Sequence, residues 1–399
     1  MIDSMEHYFD NSATTKPSSA AMEALAKAAE AWGNPSSVHS HGQRAAAILK
    51  DSRAKLSKAL GLQRFSKDML VFTSCGTESN NIAMLGCAGS KKRTPNDRGL
   101  LGTIIITAGE HPSIDGPATL LEKEGYAVFR IPTYQGEIDT QALATALDTA
   151  PAPVIFASFM LVNNETGAIY DVKSAALMVK GKYPDATVHC DAVQGFMKLR
   201  FTPATLGVDA LTVSAHKIHA PRGAAALLIS AETIKRKNIV PVMPGGGQES
   251  GFRSGTENLL SIAAFAAAAE EGIANFDENT TKVAALREYL DGQLLENCPE
   301  LRYNRPKKCL PNICSIILPS IKSETMLNYL SGRGVFVSAG SACSAYSKKK
   351  SGALEAFGTT PADADSTLRI SLSYTNTKED VDALVSGLAE GIKGLQKRK

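Results

Sequence analysis

Short apolar runs alternate with helical patterns along most of this 399-residue chain, and that alternation leaves few folds open. Residues 68–72, 103–107, 127–131, 154–158, 187–190, 210–213 and 224–229 read as strands, each short, largely apolar and bounded by turn residues. Helical patterns cover 18–32, 42–60 and 78–88, with further helices near 116–124 and 140–147. Such an order predicts an α/β architecture, a sheet sandwiched by helices. An alanine-rich helix over 259–274 follows. A second, over 281–296, leads into a smaller unit with strands at 313–318, 335–337 and 368–372 and a closing helix over 378–395. No internal repeat or low-complexity linker interrupts the pattern. This length favours one large domain plus a smaller one. The boundaries expected are 16–262 for the large domain and 1–15 with 263–399 for the small one.

Composition narrows the function classes. At 44% hydrophobic and 21% charged, the chain is an ordinary globular protein. A net charge of +3 is too small to imply a nucleic-acid partner. Lys91-Lys92-Arg93 and Lys397-Arg398-Lys399 read as solvated surface. The first six residues are acidic and lack the apolar core of a signal peptide. The longest apolar run, 259–269, is too short to span a bilayer. Seven cysteines, with no Cys-x-x-Cys pair, fit free thiols in a reducing cytoplasm rather than a disulfide framework or a metal site.

Three stretches carry chemistry. In Ser214-Ala215-His216-Lys217, followed by a Pro221-Arg222-Gly223 turn, Lys217 lies on a loop between two strands that can aim it. A desolvated lysine amine is a nucleophile for carbonyl groups. Asp191 closes the preceding strand, and a carboxylate there has a cation to meet. Residues 72–81 read as strand, small-residue turn and helix, an arrangement whose backbone amides bind anions. Alone, Lys217 also reads as a solvated lysine at a strand end, and the turn as a helix cap. Together the three match the needs of pyridoxal phosphate: a lysine for its aldehyde, an acid for its ring nitrogen and a cradle for its phosphate.

The chain also resembles a known family, the cysteine desulfurases of the class V aminotransferase group. The motifs are Asp10-Asn11-Ser12-Ala13-Thr14-Thr15, Gly33-Asn34-Pro35-Ser36-Ser37-Val38-His39, Gly76-Thr77-Glu78-Ser79-Asn80-Asn81, Glu110-His111-Pro112 and Asn163-Asn164-Glu165-Thr166-Gly167. They continue with Asp191 to Gln194, His216-Lys217, Gly245-Gly246-Gly247-Gln248-Glu249, Arg253 to Asn258 and Gly340-Ser341-Ala342-Cys343-Ser344. The resemblance implies fold-type I architecture: a large domain with a mixed, mostly parallel seven-stranded sheet between helices, plus a smaller α+β domain. It implies pyridoxal 5'-phosphate bound by Gly76, Thr77, Ser214 and His216 at the phosphate, and by Asp191 at the ring nitrogen. His111 would stack on the ring and take the substrate thiol proton. Asn164 and Gln194 would hydrogen-bond the cofactor oxygen and the substrate. Thr256 would reach the phosphate of a neighbouring subunit, which implies a homodimer.

Arg369 alternates with apolar neighbours in 368–372 and so needs an anion; the resemblance makes it the substrate carboxylate. Cys343 lies in a run of small polar residues, 338–347, that reads as a mobile loop carrying a nucleophilic thiol. The other six cysteines read as apolar or helical in context, with Cys190 directed away from the cofactor by strand alternation. The implied reaction converts L-cysteine to L-alanine and leaves a persulfide on Cys343. A sulfur-acceptor protein would take it for iron–sulfur cluster assembly or tRNA thiolation. A selenocysteine lyase, another class V aminotransferase and a non-enzymatic scaffold are the alternatives. The chain departs from the family at Cys75, Ala220 and Ala225, where glycine is common.

Overall fold

A computed structural model describes residues 6–62, 67–90, 94–340 and 352–396. Strand β1 (His7–Tyr8) precedes a seven-stranded sheet of β2 (Met69–Thr73), β3 (Gly102–Thr107), β4 (Tyr126–Ile131), β5 (Val154–Met160), β6 (Thr187–Asp191), β7 (Ala210–Ser214) and β8 (Ala225–Ile229). Their order is β2-β8-β7-β6-β5-β3-β4. Only β8 runs antiparallel to its neighbours; the other pairs are parallel. The predicted α/β class, with a mixed and mostly parallel sheet, is therefore present. The inner strands β3, β6, β7 and β8 are buried along their whole length, because helices cover both faces.

A four-stranded antiparallel sheet is built from β9 (Arg302–Tyr303), β10 (Ile313–Ile317), β12 (Ser338–Ala339) and β13 (Thr367–Ser371), in the order β12-β13-β10-β9. Strand β11 (Val335–Phe336) pairs in parallel with β1, and Asp10 bridges to Ser371. The N-terminal segment thus runs beside the C-terminal sheet and carries residues 10–15 toward the large sheet. Among the described residues no single helix is long and apolar enough to cross a membrane.

Helix boundaries depart from expectation where caps decide them. Helix α1 (Ser19–Ala29) starts at its Ser18 cap and stops short of Trp32, which is 75% exposed. Helix α2 (Ser40–Ala59) starts at the His39 ring nitrogen. Helix α3 (Gly76–Ala88) begins two residues earlier than the pattern predicts, so Gly76 and Thr77 form its first turn. Helix α4 (Pro112–Lys123) begins earlier as well, capped by His111. A helix at Val172–Lys182 has no counterpart in the sequence reading. The run expected to be a loop over 338–347 starts as strand: Ser338 and Ala339 pair with β13, and Ser338 is buried. Small side chains suit a strand that must pass close to a neighbour.

Candidate active site

The carboxyl ends of the central strands face one cavity of about 320 Å³. This is the end at which open α/β sheets bind ligands. Gly76, Thr77, His111, Asn164, Asp191, Gln194, Ser214, His216, Lys217 and Arg369 all line it. Ten expected site residues from six separate segments thus meet at one place.

Lys217 ends a single 3-10 turn, Ala215–Lys217, between β7 and β8. Its Nζ donates to the backbone carbonyls of Ser12 and, at 2.8 Å, Ala13. Gln194 Nε2 donates to the same Ser12 carbonyl at 2.9 Å, and Lys198 Nζ lies 3.2 Å from Gln194 Oε1. The Thr15 backbone N–H and Oγ1 both donate to the His216 carbonyl, at 2.9 and 3.0 Å. The segment 10–15 is therefore laid along the lysine loop. Burial pushes the Lys198 amine down to about 7, aided by the charges of Lys217 and Arg369. Burial, with Lys217 adding to it, pushes the His216 imidazole to about 3, so it stays neutral.

Asp191 ends β6 and is nearly buried. Its Oδ1 accepts from the Val193 N–H at 3.0 Å and its Oδ2 from Asn80 Nδ2 at 2.8 Å. Two residues back on the same strand face, His189 bonds Ser158 and Thr212 at 2.9 and 3.0 Å, and burial pushes its imidazole to about 4. Cys190 between them packs in the hydrophobic core and does not line the cavity. Cys75 corrects the expectation for the remaining thiols: it is exposed, stands just before α3 without capping it and lines the cavity.

The residues fit pyridoxal phosphate on three observations. Helix α3 has no side-chain cap, so its first-turn amides are left for an anion, and its dipole favours one. Ser214 Oγ is buried beside that turn with no hydrogen-bond partner among the described residues. A Cβ at Gly76 would stand 3.2 Å from Val193 Cγ2 and 3.8 Å from the Ser214 Cβ, so a side chain there would crowd the cradle. An anion at this spot would satisfy the orphaned hydroxyl.

Arg369 sits in β13 opposite Ser315 of β10 and Ser338 of β12, whose small side chains leave it room. It is 3% exposed. Nη2 pairs with Asp10 at 2.8 Å, Nη1 donates to the Asn164 carbonyl at 3.0 Å, and among the described residues Nε has no partner. The anion inferred from the strand pattern is present as Asp10, and the free Nε is a donor still to be met.

Thr256 is exposed and does not line the cavity of its own chain. Its segment is tied to α3 by an ion pair between Arg253 Nε and Glu78 Oε1 at 2.8 Å. Cys343, like Lys91 to Arg93 and Lys397 to Lys399, lies outside the described residues. Sequence reasoning missed Asp10, Asn80, Glu110, Ser113 and Lys198. Glu110 is fully enclosed, accepting from Thr107 Oγ1 and the Met160 N–H at 2.7 Å each, and burial pushes its carboxyl up to about 8. Asp10, Asn80 and Glu110 stand inside the quoted motifs. Their roles depend on partners far away in sequence, which a motif does not show.

A lysine and a carboxylate on adjacent strand ends of a mostly parallel sheet, with an uncapped helix N-terminus beside them, define a pyridoxal-phosphate enzyme of fold-type I. The chain belongs to the class V aminotransferase family, whose profile, "Aminotransferase class-V", matches residues 7–384. It is 36% identical over 389 residues to the NifS/IcsS protein homolog of Lactobacillus delbrueckii subsp. bulgaricus, covering 96% of each chain. It is 34% identical to the cysteine desulfurase NifS of Azotobacter vinelandii, covering 95% of this chain and 90% of that one. Among solved structures, a NifS-like protein from Rickettsia africae superposes with a TM-score of 0.85 at 31% identity, covering 98% of this chain and 100% of that one.

Proposed function

We propose that this enzyme is a cysteine desulfurase. It takes the sulfur of L-cysteine, releases L-alanine and leaves a persulfide on Cys343, which a sulfur-acceptor protein removes for iron–sulfur cluster assembly or tRNA thiolation. The observation that carries the reading is the meeting of Lys217, Asp191, His111 and Arg369 around one cavity. The test is to incubate the protein, loaded with pyridoxal phosphate, with L-cysteine and measure alanine and sulfide. Absence of both overturns the reading.

Each side chain has a task in this scheme. The first turn of α3 and Ser214 hold the phosphate. Asp191 keeps a proton on the ring nitrogen of the cofactor. When bound, the protonated pyridoxal ring withdraws electrons from the substrate Cα. Lys217 Nζ holds and moves the Cα proton, and it must let go of the Ser12 and Ala13 carbonyls to do so. Arg369 meets the substrate carboxylate with its Nε–H, while Asp10 holds Nη2 and the Asn164 carbonyl holds Nη1. Asn164 and Gln194 orient the substrate and the cofactor oxygen.

Asp191→Ala should bind the cofactor weakly and lose about 10²- to 10³-fold in kcat, the range seen when one preorganised electrostatic partner is removed. Cofactor content read by absorbance, beside alanine formation, checks this. Near-normal values of both exclude the assignment.

The active form proposed is a cytoplasmic homodimer. Thr256 is exposed, and Arg253 anchors its segment to the helix that starts at the phosphate cradle, which supports a surface open to a partner subunit. Sedimentation at micromolar concentration should give a dimer, and Thr256→Ala should weaken cofactor retention. An active monomer contradicts both.

A further inference from the structure

Asn80 joins two parts of the cavity that lie on different elements. Its Nδ2 donates at 2.8 Å to Asp191 Oδ2 and at 2.8 Å to Ser113 Oγ. The reversed amide would set Oδ1 against a carboxylate oxygen, so the direction of both bonds is determined. Ser113 Oγ therefore has one lone pair engaged by Asn80. It lies 2.8 Å from His111 Nδ1, and the Ser113 backbone N–H reaches the same nitrogen at 3.1 Å. A backbone N–H can only donate, so Nδ1 must be the acceptor. The Ser113 hydroxyl then turns its proton to Nδ1 as well. In the neutral imidazole this leaves the ring proton on Nε2, which no described residue hydrogen-bonds.

Protonating Nδ1 would frustrate both Ser113 bonds at once. It would also place positive charge at the N-terminus of α4, where the helix dipole opposes it. Burial acts in the same direction and holds the His111 imidazole below its ordinary range, with Lys217 adding to the shift and Asp191 opposing it.

We propose that Asn80 and Ser113 are positioning residues that lock His111 as its neutral Nε2–H tautomer, so that it meets the substrate as a hydrogen-bond donor and not as a base. The tautomer follows from hydrogen-bond directions; the identity of the substrate rests on the desulfurase reading. The lock revises the role that the family resemblance gives this residue. Nε2 cannot take a thiol proton while Nδ1 is pinned as an acceptor. What remains to it is electrophilic: Nε2–H stabilises charge that develops on an atom across the cavity. A neutral histidine at a helix N-terminus serves another enzyme in that way.

The decisive measurement is on the wild-type holoenzyme labelled with 15N-histidine, by long-range proton–nitrogen correlation at neutral pH. The chain has seven histidines, and loss of one signal set in His111→Gln identifies the one required. The expected result is a single form with Nε2 protonated and Nδ1 bare. An Nδ1–H form, a mixture of tautomers or an imidazolium overturns the lock. Asn80→Leu and Ser113→Ala should each add an Nδ1–H form and lower kcat about tenfold, with KM changing by less than about twofold. Ser113→Thr, which keeps the hydroxyl, should retain the wild-type spectrum. An unchanged spectrum in both Asn80→Leu and Ser113→Ala removes these residues from the lock. If the wild type shows the locked tautomer but forms no alanine from L-cysteine, the desulfurase reading fails and this inference stands.

Discussion

Lys217→Ala should turn over L-cysteine at least about 10⁴-fold more slowly than the wild type, the loss expected when the group that bonds a cofactor and moves the proton is removed. Lys217 is the amine carried on the turn between β7 and β8, facing Asp191 and His111 across the cavity. Lys198 is nearby, but it contacts Gln194 and does not line this cavity, so it should not substitute. The fold should survive. The Ser12 carbonyl keeps its bond from Gln194, while the Ala13 carbonyl loses a donor. At a half-buried site that costs about 1 kcal/mol. Thermal melting, the yellow absorbance of the lysine-bound cofactor and alanine formation should be read together. A melting curve close to wild type with no yellow band and no turnover is the expected set. Turnover at the wild-type rate would show that the catalytic amine lies elsewhere.

Cys343→Ala should divide the chemistry in two. The cavity is built by residues 12 to 217 and Arg369, so the variant should still bind the cofactor, turn yellow and change its spectrum on adding L-cysteine. Alanine release should fall by orders of magnitude, because the sulfur has lost its acceptor. The argument for this thiol comes from the sequence. The small-residue run 338–347 holds one cysteine, and the strand leading to it, β12, pairs Ser338 with the proposed substrate-binding Arg369. The other five described thiols that are buried or half-buried stand apart from the cavity; Cys75 alone lines it. Comparing Cys343→Ala with Cys75→Ala therefore decides between the two candidates. Persistent alanine formation in Cys343→Ala, lost in Cys75→Ala, would exchange their roles. Persistence in both would favour a selenocysteine lyase or an aminotransferase.

Much of the cavity was legible because its chemistry is local. Lys217, Asp191 and the Gly76-Thr77 turn each sit at the end of a strand that announces itself by apolar character. Parallel strands place such ends on one side of a sheet, so residues at successive strand ends meet. Arg369 was legible for a related reason. A charge on an apolar strand cannot be left unpaired, whichever anion it finds.

What the amino-acid sequence could not state is which anion that is, or how the proposed acid and base are held. Asp10 meets Arg369 across 359 positions, Asn80 meets Asp191 across 111, and Lys217 meets the carbonyls of Ser12 and Ala13 across more than 200. Helix starts shifted for a similar reason: His39 and His111 cap α2 and α4 through ring nitrogens, where the usual capping residues are short hydroxyls, carboxylates and amides. Periodicity and composition report how a segment partitions between water and core, a property each residue carries with it. A hydrogen bond needs a particular donor within about 3 Å of a particular acceptor at the right angle. That relation is absent until the sheet has closed and the N-terminal segment has been laid across the lysine loop.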